Sequence, residues 1–198
     1  AAAGTTKLAG LASIGSQVIA RMAGERGVFG LVDNDLDGRK VSKNKRLDRN
    51  PTAFCTFENG VAWARLPVTP AYREFAKELR LQPTDYQFTI EHMFSADLVE
   101  EAVRRGVYGF GKVEETLIGP IQKLHNLSEY LQLLESRLDH RRFVCKPDPA
   151  TKVPFAEWIA TEAERRPEIL EPFAAVVSAL QQKLTSDSLS RSDSVGAQ

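Results

Sequence analysis

Short apolar, partly β-branched runs alternate along the chain with stretches of helical spacing, a pattern that predicts an α/β protein. Leu8, Leu11, Ile14, Val18, Ile19 and Met22 recur at helical intervals, so a helix packed on a sheet is expected there, stopped by Gly24–Gly27. Val28–Val32 then reads as a buried strand that ends at an acidic crest, Asp33-Asn34-Asp35. Thr52–Val68 carries Phe54, Phe57, Val61, Trp63 and Leu66 around a central Asn59-Gly60, the signature of a hairpin. Tyr72–Leu79 predicts a short helix, and Gln87–Phe94 a short apolar segment with one acid, Glu91, inside it. Ser95 is placed to cap a helix over Ala96–Arg105. Pro120–His140 predicts a single long helix on the stripe Ile121, Leu124, Leu127, Leu131, Leu134 and Leu138. Arg142–Lys146 reads as a strand or connector. Pro154 suits the first turn of a helix entered at Lys152, with Phe155, Trp158 and Ile159 inward. Pro167–Leu184 predicts a last helix with Ile169, Leu170, Phe173, Val177 and Leu180 inward, and the Ser-rich residues 185–198 are expected to be disordered.

At 198 residues the chain suggests one domain or one with a small appendage. Lys+Arg and Asp+Glu balance at 26 each, so only the distribution of charge is informative. It is uneven: Arg39, Lys40, Lys43, Lys45, Arg46 and Arg49 crowd into residues 39–50 against one acid, Asp48. A run of this kind is often a solvated loop, but its place directly after the acidic crest favours contact with phosphates. The two cysteines, Cys55 and Cys145, lie far apart and suit reduced thiols of a cytoplasmic protein. His92, His125 and His140 have no metal-ligand spacing. No run of 18 apolar residues exists, so no membrane span is expected. Residues 1–24 lack acids and faintly resemble a transit peptide, although the helical spacing is the simpler account. The abrupt Ala1-Ala2-Ala3 start suggests a fragment of something longer.

Asp33 and Asp35 stand two apart, so on a continuing strand both carboxylates face one way. Paired hard oxygens of this kind suit Mg²⁺ or Mn²⁺. Gly38 permits a sharp or left-handed turn after them. An EF-hand loop matches at Asp33, Asp35, Asp37 and Gly38 but fails at Lys40 and at Asn44, where a bidentate Glu belongs. A plain acidic turn is the bland alternative. Gly106-Val107-Tyr108-Gly109-Phe110-Gly111-Lys112 has P-loop spacing, but Val113 follows instead of Ser or Thr and a helix precedes it, so a helix stop and loop is expected.

Taken together, Asp33-Asn34-Asp35 with Gly38 resembles the DxD motif of Toprim domains. Ile90-Glu91-His92-Met93-Phe94 resembles the "IE" segment that follows it in nucleases of the overcoming-lysogenization-defect (OLD) family. Lys152-Val153-Pro154-Phe155-Ala156 resembles that family's late "K-x-x-x-A" helix start. The resemblance implies a Toprim-like central sheet flanked by helices. It divides the chain into an α/β region over 1–112, a helical region over 113–184 that closes the site, and a tail over 185–198. It also implies metal-dependent DNA cleavage in anti-phage defence, by an endonuclease carrying an upstream ATPase region. Asp33, Asp35 and Glu91 would hold the metal, Lys152 would stabilise charge on the phosphate, and Glu91 and Lys152 would approach the two aspartates. The expected partners are nucleic acid, DNA rather than RNA, the ATPase region or a partner chain, and further copies in a homo-oligomer. One departure is plain: the earlier-strand Glu of Toprim domains has no match, since Glu25 is the only acid before Asp33. The isolated chain is therefore expected to be nearly inactive. A non-catalytic Toprim-like scaffold that binds nucleic acid or docks subunits is the alternative. HAD-type phosphate hydrolysis ranks third, because Leu36-Asp37 breaks its pattern.

Overall fold

The computed structural model of the protein describes residues 28–56 and 61–195, with side chains over 29–56 and 62–185. The expected Leu8–Met22 helix, its Gly24–Gly27 stop, Phe57 and the Asn59-Gly60 turn lie outside the described residues. The fold is mixed α/β and mostly helical, with small sheets. The chain forms two compact units, Ala1–Pro67 with Phe173–Gln198, and Val68–Pro172. Positions 112 and 184, where the sequence divided it, fall inside these units.

In the first unit, β1 (Val28–Val32) pairs in parallel with β3 (Val61–Arg65), and β2 (Cys55–Thr56) pairs antiparallel on the other side of β3. The flanks of the expected hairpin are thus in register, Cys55 opposite Trp63 and Thr56 opposite Ala62. Alternation along β3 divides its side chains between two faces. Trp63 packs with Val32, Leu47 and Cys55 on one face, where Val41 of α1 (Leu36–Val41) and Leu47 of α2 (Lys45–Arg49) cover it. Ala62 and Ala64 pack with Phe54 on the other, under Ala179 and Leu180 of α9 (Ala174–Val195). Gly30 lies opposite Trp63, and a Cβ there would stand 2.2 Å from the indole ring. Arg65 is buried and ties α1 and α2 to the sheet. Its Nε–H donates to Ser42 Oγ at 2.7 Å and its Nη1–H to Asp48 Oδ1 at 2.7 Å.

The second unit holds α3 (Pro70–Glu78), α4 (Ala96–Arg104), α5 (Glu115–Leu124), α6 (Leu127–Glu135), α7 (Leu138–Val144) and α8 (Lys152–Arg165). Strands β4 (Phe110–Val113) and β5 (Cys145–Pro147) pair antiparallel among them. Tyr72 is the hub of the core, with ring centroids of Phe75, Phe88, His92 and Phe143 all within 5.9 Å. The single helix expected over Pro120–His140 is three. His125 is extended, and Asn126 Oδ1 accepts from the Ser128 and Glu129 N–H groups to start α6 anew. The last helix also differs from expectation. Pro167–Phe173 is a 3₁₀ segment containing Pro172, α9 starts after it, and Leu170 and Val177 are exposed. That helix continues to Val195, across residues expected to be disordered. The glycine segment behaves as a helix stop: Gly106 has φ +70°, and the bonds Gly106 N–H to Val103 O and Val107 N–H to Ala102 O close α4. No helix among the described residues is long and apolar enough to cross a membrane.

Candidate functional site

The acidic crest stands at the C-terminal end of β1, in the first unit, but it is not a continuation of the strand. β1 ends at Val32, and Asp35 leaves it to become the N-cap of α1, its Oδ1 accepting from the Gly38 N–H at 2.7 Å. The carboxylates are therefore not held on one strand face, because capping takes Asp35. Gly38 is required by close approach and not by a left-handed turn: a Cβ there would stand 1.9 Å from the Asp33 carbonyl oxygen. Asn34, between the two acids, is buried. Its Nδ2–H donates to Leu66 O at 3.3 Å, and its carbonyl oxygen accepts from Arg39 Nη1 at 3.0 Å.

Asp33 and Asp35 are both half-buried. Asp35 keeps Oδ2 without a hydrogen bond among the described residues. Two hard oxygen donors at a strand end fit Mg²⁺ or Mn²⁺, which accept one or two carboxylates and retain several waters. No group of three or more His, Cys, Asp and Glu gathers among the described residues, so an all-protein cage is not offered there.

The basic segment is folded into α1 and α2. Arg39 turns back onto Asn34, and Lys40 pairs with Asp37 at 2.9 Å on the surface. Lys43, Lys45, Arg46 and Arg49 form no ion pair among the described residues, and the one acid of the segment, Asp48, faces Arg65. Arg46 lines a half-open cleft of about 540 Å³ with Asn50, Thr52 and Ala53 on one wall and Ser178, Gln182 and Lys183 of α9 on another.

The other two motifs meet within the second unit. Glu91 is buried in a 3₁₀ turn, Ile90–Met93, of which Ile90 is exposed, and its Oε1 is 3.6 Å from Nζ of Lys152, the first residue of α8. A buried carboxylate needs such a partner. The loop before α8 is held by the glycine segment: Gly109 N–H donates to Thr151 Oγ1 at 3.1 Å, and Gly109 O accepts from the Asp148 N–H at 2.9 Å. His92, next to Glu91, accepts from the Thr89 N–H through Nδ1 at 3.1 Å. Burial lowers its pKa from 6.5 to about 4, partly opposed by the Glu91 charge. The Tyr108 hydroxyl is buried, and burial followed by the Glu91 charge pushes its pKa up. Asp33 and Asp35 belong to one unit, Glu91 and Lys152 to the other.

Comparison with protein-family models, with curated proteins and with solved structures finds no match. The site features that sequence reasoning missed are Asn34, Arg65, Tyr108 and the α9 wall of the cleft. Arg65 carried a signal, a cation in an otherwise apolar strand. The cleft carried none, because its walls are far apart in the chain.

Proposed function

We propose that this chain is the metal-binding part of a Toprim-like nuclease of the OLD type, hydrolysing phosphodiesters of DNA within a larger ATPase–nuclease. The reading rests on one observation above others. Glu91 and Lys152, singled out in separate motifs, form an ion pair at 3.6 Å, one member buried and the other at the mouth of a helix. The acidic crest after a parallel strand is further support. Asp33 and Asp35 hold a divalent cation, the Gly38 N–H fixing the Asp35 carboxylate. When bound, that cation supplies a water of lowered pKa and positive charge for the phosphate. Lys152 stabilises negative charge developing on the phosphate oxygens, helped by the N-terminal dipole of α8. Glu91 holds the lysine in place.

The alternative, a non-catalytic module that binds nucleic acid, is favoured by a different aspect of the same pair: Lys152 already neutralises Glu91. Calorimetry with Mn²⁺ and DNA cleavage by the intact protein separate the two. Weak Mn²⁺ binding is expected, lost in Asp33→Asn and in Asp35→Asn. Lys152→Ala should keep metal and DNA binding and cleave far more slowly. Unchanged Mn²⁺ binding in both aspartate variants overturns the nuclease reading, and DNA binding without cleavage by the intact protein leaves the binding module.

A further inference from the structure

We propose that Tyr108 is a positioning residue of the Glu91–Lys152 site, its hydroxyl standing ready to donate to the Glu91 carboxylate when Lys152 turns outward to a phosphate. The inference rests on the reading that Lys152 meets phosphate, but not on a metal or on the acidic crest. Tyr108 is 4 % exposed, and its hydroxyl has no hydrogen-bond partner among the described residues. The ring packs edge-on against Phe110 at 5.4 Å and Phe155 at 4.9 Å between centroids, contacts that phenylalanine would make equally well. A buried hydroxyl without an acceptor is destabilising, so packing alone does not account for it. Its surroundings point to Glu91. Phe155 stands one turn into α8 from Lys152 and meets Phe94, which closely follows Glu91, at 5.5 Å. Gly109, next to Tyr108, is bonded to Thr151, next to Lys152. Burial and then the Glu91 charge push the phenol pKa up, so the group stays protonated and remains a donor.

Glu91 in turn is buried, and its carboxylate accepts no hydrogen bond among the described residues. Its ion pair with Lys152 is 3.6 Å long, beyond hydrogen-bonding distance, and the lysine side chain is half-exposed. Such a lysine can leave for a phosphate, but a buried carboxylate left alone is costly. Two neighbouring donors are engaged elsewhere. Arg142 Nη1–H donates to Phe94 O and its Nε–H to Asp139 O, and the His92 ring lies among Tyr72, Phe88 and Phe143. The idle Tyr108 hydroxyl is the donor that lowers the cost of releasing Lys152.

The test is a double-mutant cycle on the full chain, without metal or nucleic acid, by urea unfolding of the second unit read from Trp158 in Trp63→Phe. Tyr108→Phe alone should leave the folding equilibrium within about threefold of the parent. In Lys152→Met, where Glu91 depends on the hydroxyl, Tyr108→Phe should lower it by about tenfold, as expected for a hydrogen bond to a charged group. In Lys152→Met/Glu91→Gln the loss should shrink to about threefold, because the acceptor is neutral. Equal effects of Tyr108→Phe with and without the lysine overturn the proposal, as does a loss that persists undiminished with Gln at position 91. A Lys152→Met chain that does not fold overturns it too, since the hydroxyl then fails to support Glu91. A purely structural Tyr108 is told apart by a second readout, the Cζ resonance of Tyr108 in protein with isotope-labelled tyrosine. It should move in Lys152→Met and, in the parent, on addition of a short single-stranded oligonucleotide in EDTA. A resonance unmoved by Lys152→Met overturns the role of Tyr108. One that moves in Lys152→Met but not with the oligonucleotide overturns the outward turn of Lys152 to phosphate while the pairing with Glu91 stands, so the two failures are distinguished.

Discussion

His92 shows how one buried side chain sets a pH dependence for its unit. Its ring lies among Tyr72, Phe88 and Phe143, with Glu91, Arg142 and Lys152 as the charged groups acting on it. Burial dominates, so the folded protein takes up the proton only near pH 4, whereas the unfolded chain does so near 6.5. The unfolded state therefore binds more protons between these values. Stability is complete above about pH 6.5, falls as the pH is lowered towards 4, and changes no further below that on account of this group. The difference is worth at most about 3 kcal/mol. His92→Phe removes the acceptor of the Thr89 N–H and should cost about 1 kcal/mol at pH 7. It should also flatten the loss between pH 6.5 and 4, read from urea denaturation at several pH values. Parallel acid profiles of the parent and variant would show that His92 does not carry the effect. The imidazole was visible in the sequence, but its environment was not, because the rings around it come from residues 72, 88 and 143.

At the scale of elements, helix ends explain both what was legible and what was not. The α4 stop at Gly106 and the Asp35 cap of α1 use residues whose local chemistry is written in the sequence. The break at His125-Asn126 was hidden because the apolar stripe keeps nearly the same spacing across it, so periodicity alone reads one helix where a capping Asn starts a second. Phasing failed after Pro167 for a related reason: a 3₁₀ segment turns by a different angle per residue than an α-helix, which moved Leu170 and Val177 to the surface. The site followed the same division. The strand with its acidic crest and the acid inside the apolar segment at Glu91 were legible from the residues, whereas Lys152, and its coming together with Glu91, were expected only through resemblance. Arg80 ends α3 in the same way that Gly106 ends α4. The Leu81 N–H reaches Ala76 O at 2.8 Å, yet this position has φ +54° and a side chain. The left-handed conformation costs an L-residue roughly 1–2 kcal/mol, part of which glycine returns in unfolded-state entropy. Arg80→Gly should therefore raise stability by about 0.5–1 kcal/mol, and Gly106→Ala should lower it by about 1 kcal/mol. Chemical denaturation checks both, and a destabilised Arg80→Gly would show that the side chain contributes more than its backbone strain costs.

For the whole molecule, the first unit is built from two separated segments of chain, whereas the second is continuous. Removing residues after Pro172 thus takes a layer from the first unit and none from the second. That layer carries Ala179 and Leu180, which pack against Phe54, Ala62 and Ala64 on one face of the sheet. Uncovering that face should cost the first unit about 2–4 kcal/mol at the usual value for one or two large apolar side chains. The two tryptophans allow the units to be followed separately, since Trp63 lies in the first and Trp158 in the second. Trp63 is buried on the opposite face of the sheet, against Val32 and Leu47, so its emission reports unfolding of the unit and not direct loss of the helix. In Trp158→Phe, truncation after Pro172 should shift the Trp63 transition to lower urea. In Trp63→Phe, the same truncation should leave the Trp158 transition in place, because the Tyr72-centred core of residues 68–172 is self-contained. If Trp63 unfolds at the same urea concentration with and without residues 173–198, then α9 is not a structural layer of the first unit, and its cover over Ala62 and Ala64 contributes no stability.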